Sequence, residues 1–192
     1  SGSRSSEVRD ALRQHMDAAQ GLPIGLVERV QRGLPIIYPT STLPALGCLP
    51  QTDALDSLFD LKKRSETKIV SLGVCNLEQA AEIVEVPDIA SEILDAFPAG
   101  SLTLILPAIE TLDARLGGDA VAVRVLADAR ARELTAVTGP LTATSANPSG
   151  DDPVADCETA AEILGLPKNA ALPGECVGGA PSTLIRWNVS GD

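Results

Sequence analysis

The side chains best suited to chemistry are the hydroxyl and amide groups of residues 144–150, which read Thr-Ser-Ala-Asn-Pro-Ser-Gly. The preceding residues, with Leu141 and Ala143, predict a short buried strand, and the Asn-Pro and Ser-Gly pairs end it. Ser145 and Asn147 are therefore expected at a solvent-facing rim of a sheet, where ligands commonly bind. This stretch is the part of the chain expected to contact a substrate.

A cluster of cations is the second candidate. Three of the four lysines fall in residues 61–68, which read Leu-Lys-Lys-Arg-Ser-Glu-Thr-Lys, although the net charge of the chain is -11. A charge run is usually a solvated face, but here the enrichment is local, and the hydroxyls of Ser65 and Thr67 suit phosphate oxygens. Both interpretations stay open. Because the chain has no P-loop and no Rossmann glycine motif, any phosphate would be held by side chains and other loops.

Further polar residues lie inside or beside apolar segments. Arg124 falls in the predicted strand 121–125 and needs a partner, either a structural carboxylate or an anionic ligand. Three hydroxyl-bearing residues, Thr40 to Thr42, follow the short apolar run 36–38. Ser182 and Thr183 repeat this pattern of hydroxyls at a strand boundary, before Leu184 and Ile185.

Composition excludes several classes of protein. The single histidine, His15, is expected on the surface of the first helix, which argues against a Ser-His-Asp hydrolase and a histidine-ligated zinc enzyme. With only four aromatic residues, RNA binding by base stacking is disfavoured. The cysteines have no C-x-x-C spacing, so free buried thiols in a reducing compartment are expected at Cys48, Cys75, Cys157 and Cys176.

No apolar run is long enough to span a membrane, and the chain is expected in the cytoplasm without a membrane partner. One domain over residues 1–192 is expected, with residues 1–6 interpreted as a tag remnant or a disordered N-terminus.

The order of elements predicts an α/β fold with a twisted mixed sheet, flanking helices and no hairpin turns. Two helices are predicted before the first strand. The predicted strands are 36–38, 69–74, 102–106, 121–125 and 141–144. The later helices are predicted at 53–63, 77–84, 89–97, 127–137 and 155–164.

Taken in order, six segments resemble the YrdC-like threonylcarbamoyl-AMP synthase family. These segments are 38–42, 61–64, 102–106, 121–125, 144–150 and 182–183. The likeness covers residues 36–185, and its specific part is a Lys-x-Arg motif followed by a Ser-x-Asn motif. It implies a concave site that joins L-threonine, bicarbonate and ATP into threonylcarbamoyladenylate and releases pyrophosphate. The product would pass to the tRNA threonylcarbamoyl transferase machinery, and tRNA itself is a further possible partner.

The resemblance also implies roles for single residues. Lys62 and Arg64 would hold the carboxylate and phosphates, and Ser145 and Asn147 would complete this catalytic cluster. Lys62, like Asn147, is expected at a solvent-facing rim. Mg²⁺ would accompany ATP, with no metal ligands assigned. Contacts with substrate or ATP are implied for Thr40, Thr42, Lys68, Thr103, Arg124 and Ser182. Of these, Thr42 and Arg124 would contact threonine, and Lys68 and Ser182 would lie near ATP.

The chain departs from the family pattern in one motif above all. Family members commonly read Pro-Thr-Glu-Thr-x-Tyr-Gly-Leu-Gly where residues 39–47 read Pro-Thr-Ser-Thr-Leu-Pro-Ala-Leu-Gly. Two alternatives therefore stand beside the synthase: a double-stranded RNA or tRNA-binding relative without synthase activity, and a related adenylate-forming enzyme with another substrate.

Overall fold

A computed structural model describes residues 21–188, which form one seven-stranded sheet with helices packed against it. The strands are β1 (Ile36–Tyr38), β2 (Ala45–Gly47), β3 (Ser71–Val74), β4 (Leu102–Pro107), β5 (Ala120–Val125), β6 (Leu141–Ser145) and β7 (Thr183–Arg186). The first predicted helix, His15 and residues 1–6 lie outside the described residues.

Six α-helices occur within the described part of the chain. They are α1 (Ile24–Gln31), α2 (Thr52–Lys62), α3 (Leu77–Ala80), α4 (Ala90–Asp95), α5 (Ala129–Thr138) and α6 (Cys157–Ile163). Short 3₁₀ turns occupy Ala114–Leu116 and Lys168–Ala170. The helix predicted over 77–84 is only one turn long. Its start is capped by Asn76, whose side chain accepts the amide N–H of Gln79.

The sheet is mixed, in the order β1-β2-β6-β3-β5-β4-β7, and this confirms the predicted α/β class. The pairs β3/β5 and β4/β7 are parallel, and the other neighbours are antiparallel.

The prediction of no hairpins was wrong at the first edge, where β1 returns directly as β2 through residues 39–44. Strand β2 was not predicted because it has only three residues, Ala45, Leu46 and Gly47, and none of them is β-branched. Gly47 is required there: a Cβ at this position would lie 2.6 Å from Cε1 of Tyr38.

Side-chain alternation in β5 shows how the sheet separates a core from a cleft. Val121 and Val123 belong to the hydrophobic core beneath the sheet, together with Leu55 and Leu58 of α2. The intervening residues Ala122 and Arg124 line a cavity on the other face. Since successive side chains of a strand point to opposite faces, the small alanines leave room for the cavity above a well-packed core.

Candidate functional site

A cavity of about 440 Å³ lies on this open face of the sheet. Its floor is formed by Ala120, Ala122 and Ala143, and its walls come from the β1–β2 loop, from residues 64–71 and from the segment that leads into β7. Small residues in the floor let the backbone approach a ligand closely, while polar side chains from three separate segments surround it.

Lys62, at the end of α2, reaches the Ser-x-Asn segment. Its ammonium group donates hydrogen bonds to the carbonyl oxygen of Ser145 and, at 3.1 Å, to Oγ of the same residue. The backbone amide of Ser149 in turn donates to the carbonyl of Lys62 at 3.0 Å. The lysine-rich helix end and the hydroxyl-amide loop therefore meet directly.

Lys62 was expected at a solvent-facing rim, but only 2% of it is exposed. It follows Leu55, Leu58 and Phe59 at helical spacing, so its aliphatic stem lies on the buried face of α2 and only its ammonium group reaches the polar cluster. Burial, together with the nearby charges of Arg64 and Lys68, lowers the pKa of Lys62 to about 8.

The chain turns sharply after Lys62. Lys63 ends α2 in a left-handed conformation with φ of 52°, and this turn directs Arg64 toward the cavity, which its side chain lines. The Arg64 guanidinium donates to the carbonyls of Lys68 and Ile69 at 3.1 and 2.9 Å. Lys68 thus holds Arg64 through its backbone, whereas its own side chain is exposed and does not line the cavity.

Asn147 is 8% exposed and lies behind the cavity wall, not at a solvent-facing rim as predicted. Its amide nitrogen donates to the carbonyls of Pro148 and Asp151 at 2.9 and 2.7 Å, which closes the loop after β6. Its Oδ1 atom is buried and accepts no hydrogen bond within the described structure. Ser145, by contrast, lines the cavity directly.

Arg124 is 8% exposed, and its partners are neutral. Its Nε donates to the carbonyl of Gly100 at 2.8 Å, and Nη2 donates to Oγ of Ser41 at 3.0 Å and to Oγ1 of Thr42 at 3.4 Å. Among residues 21–188, no carboxylate lies within ion-pair distance of it. Of the two partners left open by the sequence, the structure therefore favours an anionic ligand.

The hydroxyl residues divide into those that face the cavity and those that support it. Thr42 and Ser182 line the cavity. Thr103 is 1% exposed and does not line it, but shares a 2.6 Å hydrogen bond with Ser182. Thr40 lies at the cavity wall and uses its Oγ1 to accept the amide N–H groups of Thr42 and Leu43, which shapes the β1–β2 loop.

Two polar cavity residues were missed by the sequence analysis. Arg186 lies in β7 two positions after Leu184, and both line the cavity. The alternation of Leu184 and Arg186 could have placed Arg186 on the cavity face, but β7 has only four residues, too few for a clear pattern. Ser71 opens β3 at the cavity wall, and its hydroxyl donates to the carbonyl of Ala143 at 3.0 Å.

The cavity has a single sign of charge. Among the described residues, the ionisable side chains that line it are Arg64, Arg124 and Arg186, and Lys62 lies just behind Ser145. In a chain of net charge -11, such a concentration of guanidinium groups attracts a ligand with several anionic oxygens.

Other features of the described part of the chain bear on the sequence analysis. All four cysteines are free; Cys48, Cys157 and Cys176 are buried, as predicted, and Cys75 is half-buried. Within residues 21–188, no group of three or more histidine, cysteine or acidic side chains could hold a metal ion. No helix there has the length and apolar character needed to cross a membrane.

Comparison with known proteins gives matches over most of the chain. A family model covering Sua5, YciO and YrdC, described as "Telomere recombination", matches residues 28–191. A threonylcarbamoyl-AMP synthase of Pseudomonas aeruginosa is 35% identical over 167 residues, which cover 84% of this chain and 90% of that protein. The corresponding Vibrio campbellii protein is 32% identical over 168 residues, covering 84% of this chain and 91% of that one.

Solved structures show the same fold. Sua5 of P. abyssi complexed with L-threonine superposes with a TM-score of 0.74 at 28% identity, over 84% of this chain and 49% of that one. This chain therefore spans about half the length of Sua5. E. coli YciO superposes with a TM-score of 0.70 at 23% identity, over 92% of this chain and 86% of YciO, which supports the fold alone.

Proposed function

This chain belongs to the Sua5, YciO and YrdC family, and on that premise we propose that it is a threonylcarbamoyl-AMP synthase. The reaction joins L-threonine, bicarbonate and ATP into L-threonylcarbamoyladenylate, with release of pyrophosphate and water. The observation that carries the proposal is the contact of Lys62 with Ser145, which lines the cavity together with Arg64 and Arg124.

The geometry suits this chemistry because the reaction needs several anions held together and no covalent nucleophile. Amine attack on bicarbonate and adenylyl transfer both gain from orientation and from cations placed where negative charge develops. Lys62 and Arg64 are proposed to hold the phosphates, and Arg124 the threonine carboxylate. Ser145 and Thr42 supply hydroxyl groups between them.

Mg²⁺ is proposed to enter with ATP. Because the described residues offer no cluster of three acidic or histidine ligands, the ion would be held mainly by phosphate oxygens and water, as is common for Mg²⁺. Its chemical contribution would be to neutralise charge on the transferring phosphate. Action in the cytoplasm, with the product passed to the tRNA threonylcarbamoyl transferase machinery, belongs to the same proposal.

Pyrophosphate release provides the direct test. We expect the purified protein with Mg²⁺ and ATP to release pyrophosphate only when both L-threonine and bicarbonate are present, and mass spectrometry should detect the adenylate. Release that does not depend on threonine would contradict the proposal. Salt-sensitive tRNA binding with no pyrophosphate release would instead favour the RNA-binding relative.

A second substrate is worth testing because Ser41 contacts Arg124 at the position where relatives commonly carry glutamate. Within residues 21–188, Arg124 has no acidic partner beside the proposed amino-acid site. Pyrophosphate release measured with each amino acid in turn would identify a substrate other than threonine.

The lowered pKa of Lys62 predicts proton uptake when polyphosphate binds. In the free protein, Lys62 loses its proton as the pH rises through about 8, whereas a bound phosphate favours the charged form and raises this pKa. Binding at about pH 9 should therefore take up close to one proton, and binding at about pH 7 much less. ATP affinity should also fall as the pH rises above 8.

Calorimetry in buffers of different ionisation enthalpy measures this uptake. The Lys62→Met variant is the control, because it keeps the ligand's own titration and removes that of the lysine. Equal proton uptake by the wild type and this variant at about pH 9 would show that Lys62 does not contact the phosphates.

A further inference from the structure

Arg115 is a buried cation outside the cavity. Only 8% of its side chain is exposed, and it lies in the 3₁₀ turn between β4 and β5. It forms a bidentate ion pair with Asp113, in which Nε donates to Oδ1 at 3.0 Å and Nη2 donates to Oδ2 at 2.9 Å. The proposed reaction leaves this residue without a role.

The same guanidinium group binds α2 at three points along the helix. It donates to the carbonyl of Thr52 at 3.2 Å and to the carboxylate of Asp56 at 2.7 Å. Its Cζ atom lies 5.4 Å from the ring centroid of Phe59, within cation–π distance. Arg115 therefore fixes the helix that ends at Lys62.

Arg115 also contacts the chain beyond that helix end. Its backbone carbonyl accepts the amide N–H of Val70 at 2.9 Å, and its Nη1 atom lies 3.8 Å from the carboxylate of Glu66. Lys62 and Arg64 lie between Phe59 and Glu66 in sequence. Arg115 thus holds both sides of the turn that carries the two cations.

This turn needs such support. Lys63 adopts a left-handed conformation, which is strained in a residue other than glycine. Residues 65–69 after it are exposed and contribute little packing of their own. The bonds from Arg64 to the carbonyls of Lys68 and Ile69 hold the turn from within, and contacts from outside the segment add to them in directing Arg64 into the cavity.

We propose that Arg115 is a positioning residue, whose guanidinium group fixes the turn from Lys62 to Arg64 through Asp56 and Phe59 on one side and Glu66 on the other. It acts through these neighbours and does not touch the substrate. The inference deepens the proposed function, since it concerns how the phosphate-binding cations are held in place.

The pair with Asp113 is the one that sets the orientation of Arg115. Hydrogen bonds from Arg115 hold the pKa of Asp113 below its usual range, and they raise the pKa of Arg115 in return. Asp113 therefore stays ionised and fixes the guanidinium plane, which leaves the remaining N–H groups directed at α2. A lysine could not make this forked contact.

The test compares Arg115→Met and Asp56→Asn with the wild type. The main measurement is the NMR titration of ¹³C-labelled lysine side chains, which is tractable because the chain has only four lysines. The resonance of Lys62 is identified by its loss in Lys62→Met. We expect it to titrate near pH 8 in the wild type, and at least about one pH unit higher in both variants, because a loosened turn lets water reach the amine.

Steady-state kinetics supply the second measurement. The KM for ATP should rise about tenfold in Arg115→Met and about threefold in Asp56→Asn, while the KM for threonine changes little. Asp53→Asn is the matched control: it removes an equal charge from the exposed face of the same helix, outside the Arg115 network.

A role in stability alone would lower Tm but leave both the Lys62 titration and the KM for ATP at wild-type values. That result in the folded variants would overturn the inference. Asp56 is 58% exposed at its side chain, so Asp56→Asn is expected to fold and decides the question if Arg115→Met does not. Because the titration needs no turnover, a shift of Lys62 would support the inference even if the protein formed no adenylate.

Discussion

Lys62→Met is expected to lower kcat/KM for ATP by about 100- to 1000-fold while the protein stays folded. The expected loss is large because Lys62 is a buried ammonium group beside Ser145, where a hydrogen bond to a charged ligand is stronger than in water. Methionine nearly matches the length of lysine and removes the cost of burying a charge, so Tm should be unchanged or slightly higher. Pyrophosphate release and thermal unfolding measure the two effects separately.

Lys63→Met is the matched control for this variant. Lys63 is the adjacent residue and carries the same charge, but its side chain is exposed. We expect nearly wild-type turnover from it. If both variants lost activity equally, general electrostatic attraction, and not the position of Lys62, would account for the effect.

Arg124→Lys should raise the KM for threonine about 30-fold or more and change the KM for ATP much less. Lysine keeps the charge, but its single ammonium group cannot make the hydrogen bonds that the planar guanidinium group makes to Gly100, Ser41 and Thr42. The amino-acid carboxylate would therefore lose a fixed donor pair, a difference of about 2 kcal/mol. Initial rates at varied threonine and saturating ATP measure the effect.

Arg132→Lys is the control here, because Arg132 is an exposed arginine of α5 that contacts the carbonyl of Cys75 and does not line the cavity. A threonine KM for Arg124→Lys that equals this control would place the carboxylate elsewhere. The neighbouring Arg186 would then be the next residue to test.

Sequence patterns were sufficient for the fold class because they report local physics. Alternating apolar residues and turn signals identified β1, β3, β4, β5 and β6 to within about two residues at each end. They failed for β2, which exists because Ala45 and Ser145 pair across the sheet. A three-residue strand with weak β propensity is determined by its neighbours, and these are distant in sequence.

For the candidate site, too, the sequence indicated some features and missed others. The residue types of the Lys-x-Arg and Ser-x-Asn segments pointed to an anion site, and the arginine within β5 pointed to a missing partner. Burial was predicted wrongly for Lys62 and Asn147. Lys62 shares a helical face with Leu55 and Leu58, but this pattern does not tell whether a lysine at the helix end reaches solvent. Asn147 is buried in a loop that its own bonds to Pro148 and Asp151 close, which no local pattern indicates. The sequence signal for Arg186 was too short to place it, since β7 reaches the cavity only by pairing with β4.

The sequence by itself determined that this protein has an aliphatic α/β core and concentrates its few lysines near hydroxyl-rich loops, since composition and periodicity are properties of neighbouring residues. Only the tertiary structure decided that Lys62 meets Ser145, that Arg124 has no acidic partner within residues 21–188, and that Arg115 contacts Asp56 of α2. Those facts depend on contacts between segments more than 40 residues apart in sequence, whose free energy is set by burial and geometry in the folded chain.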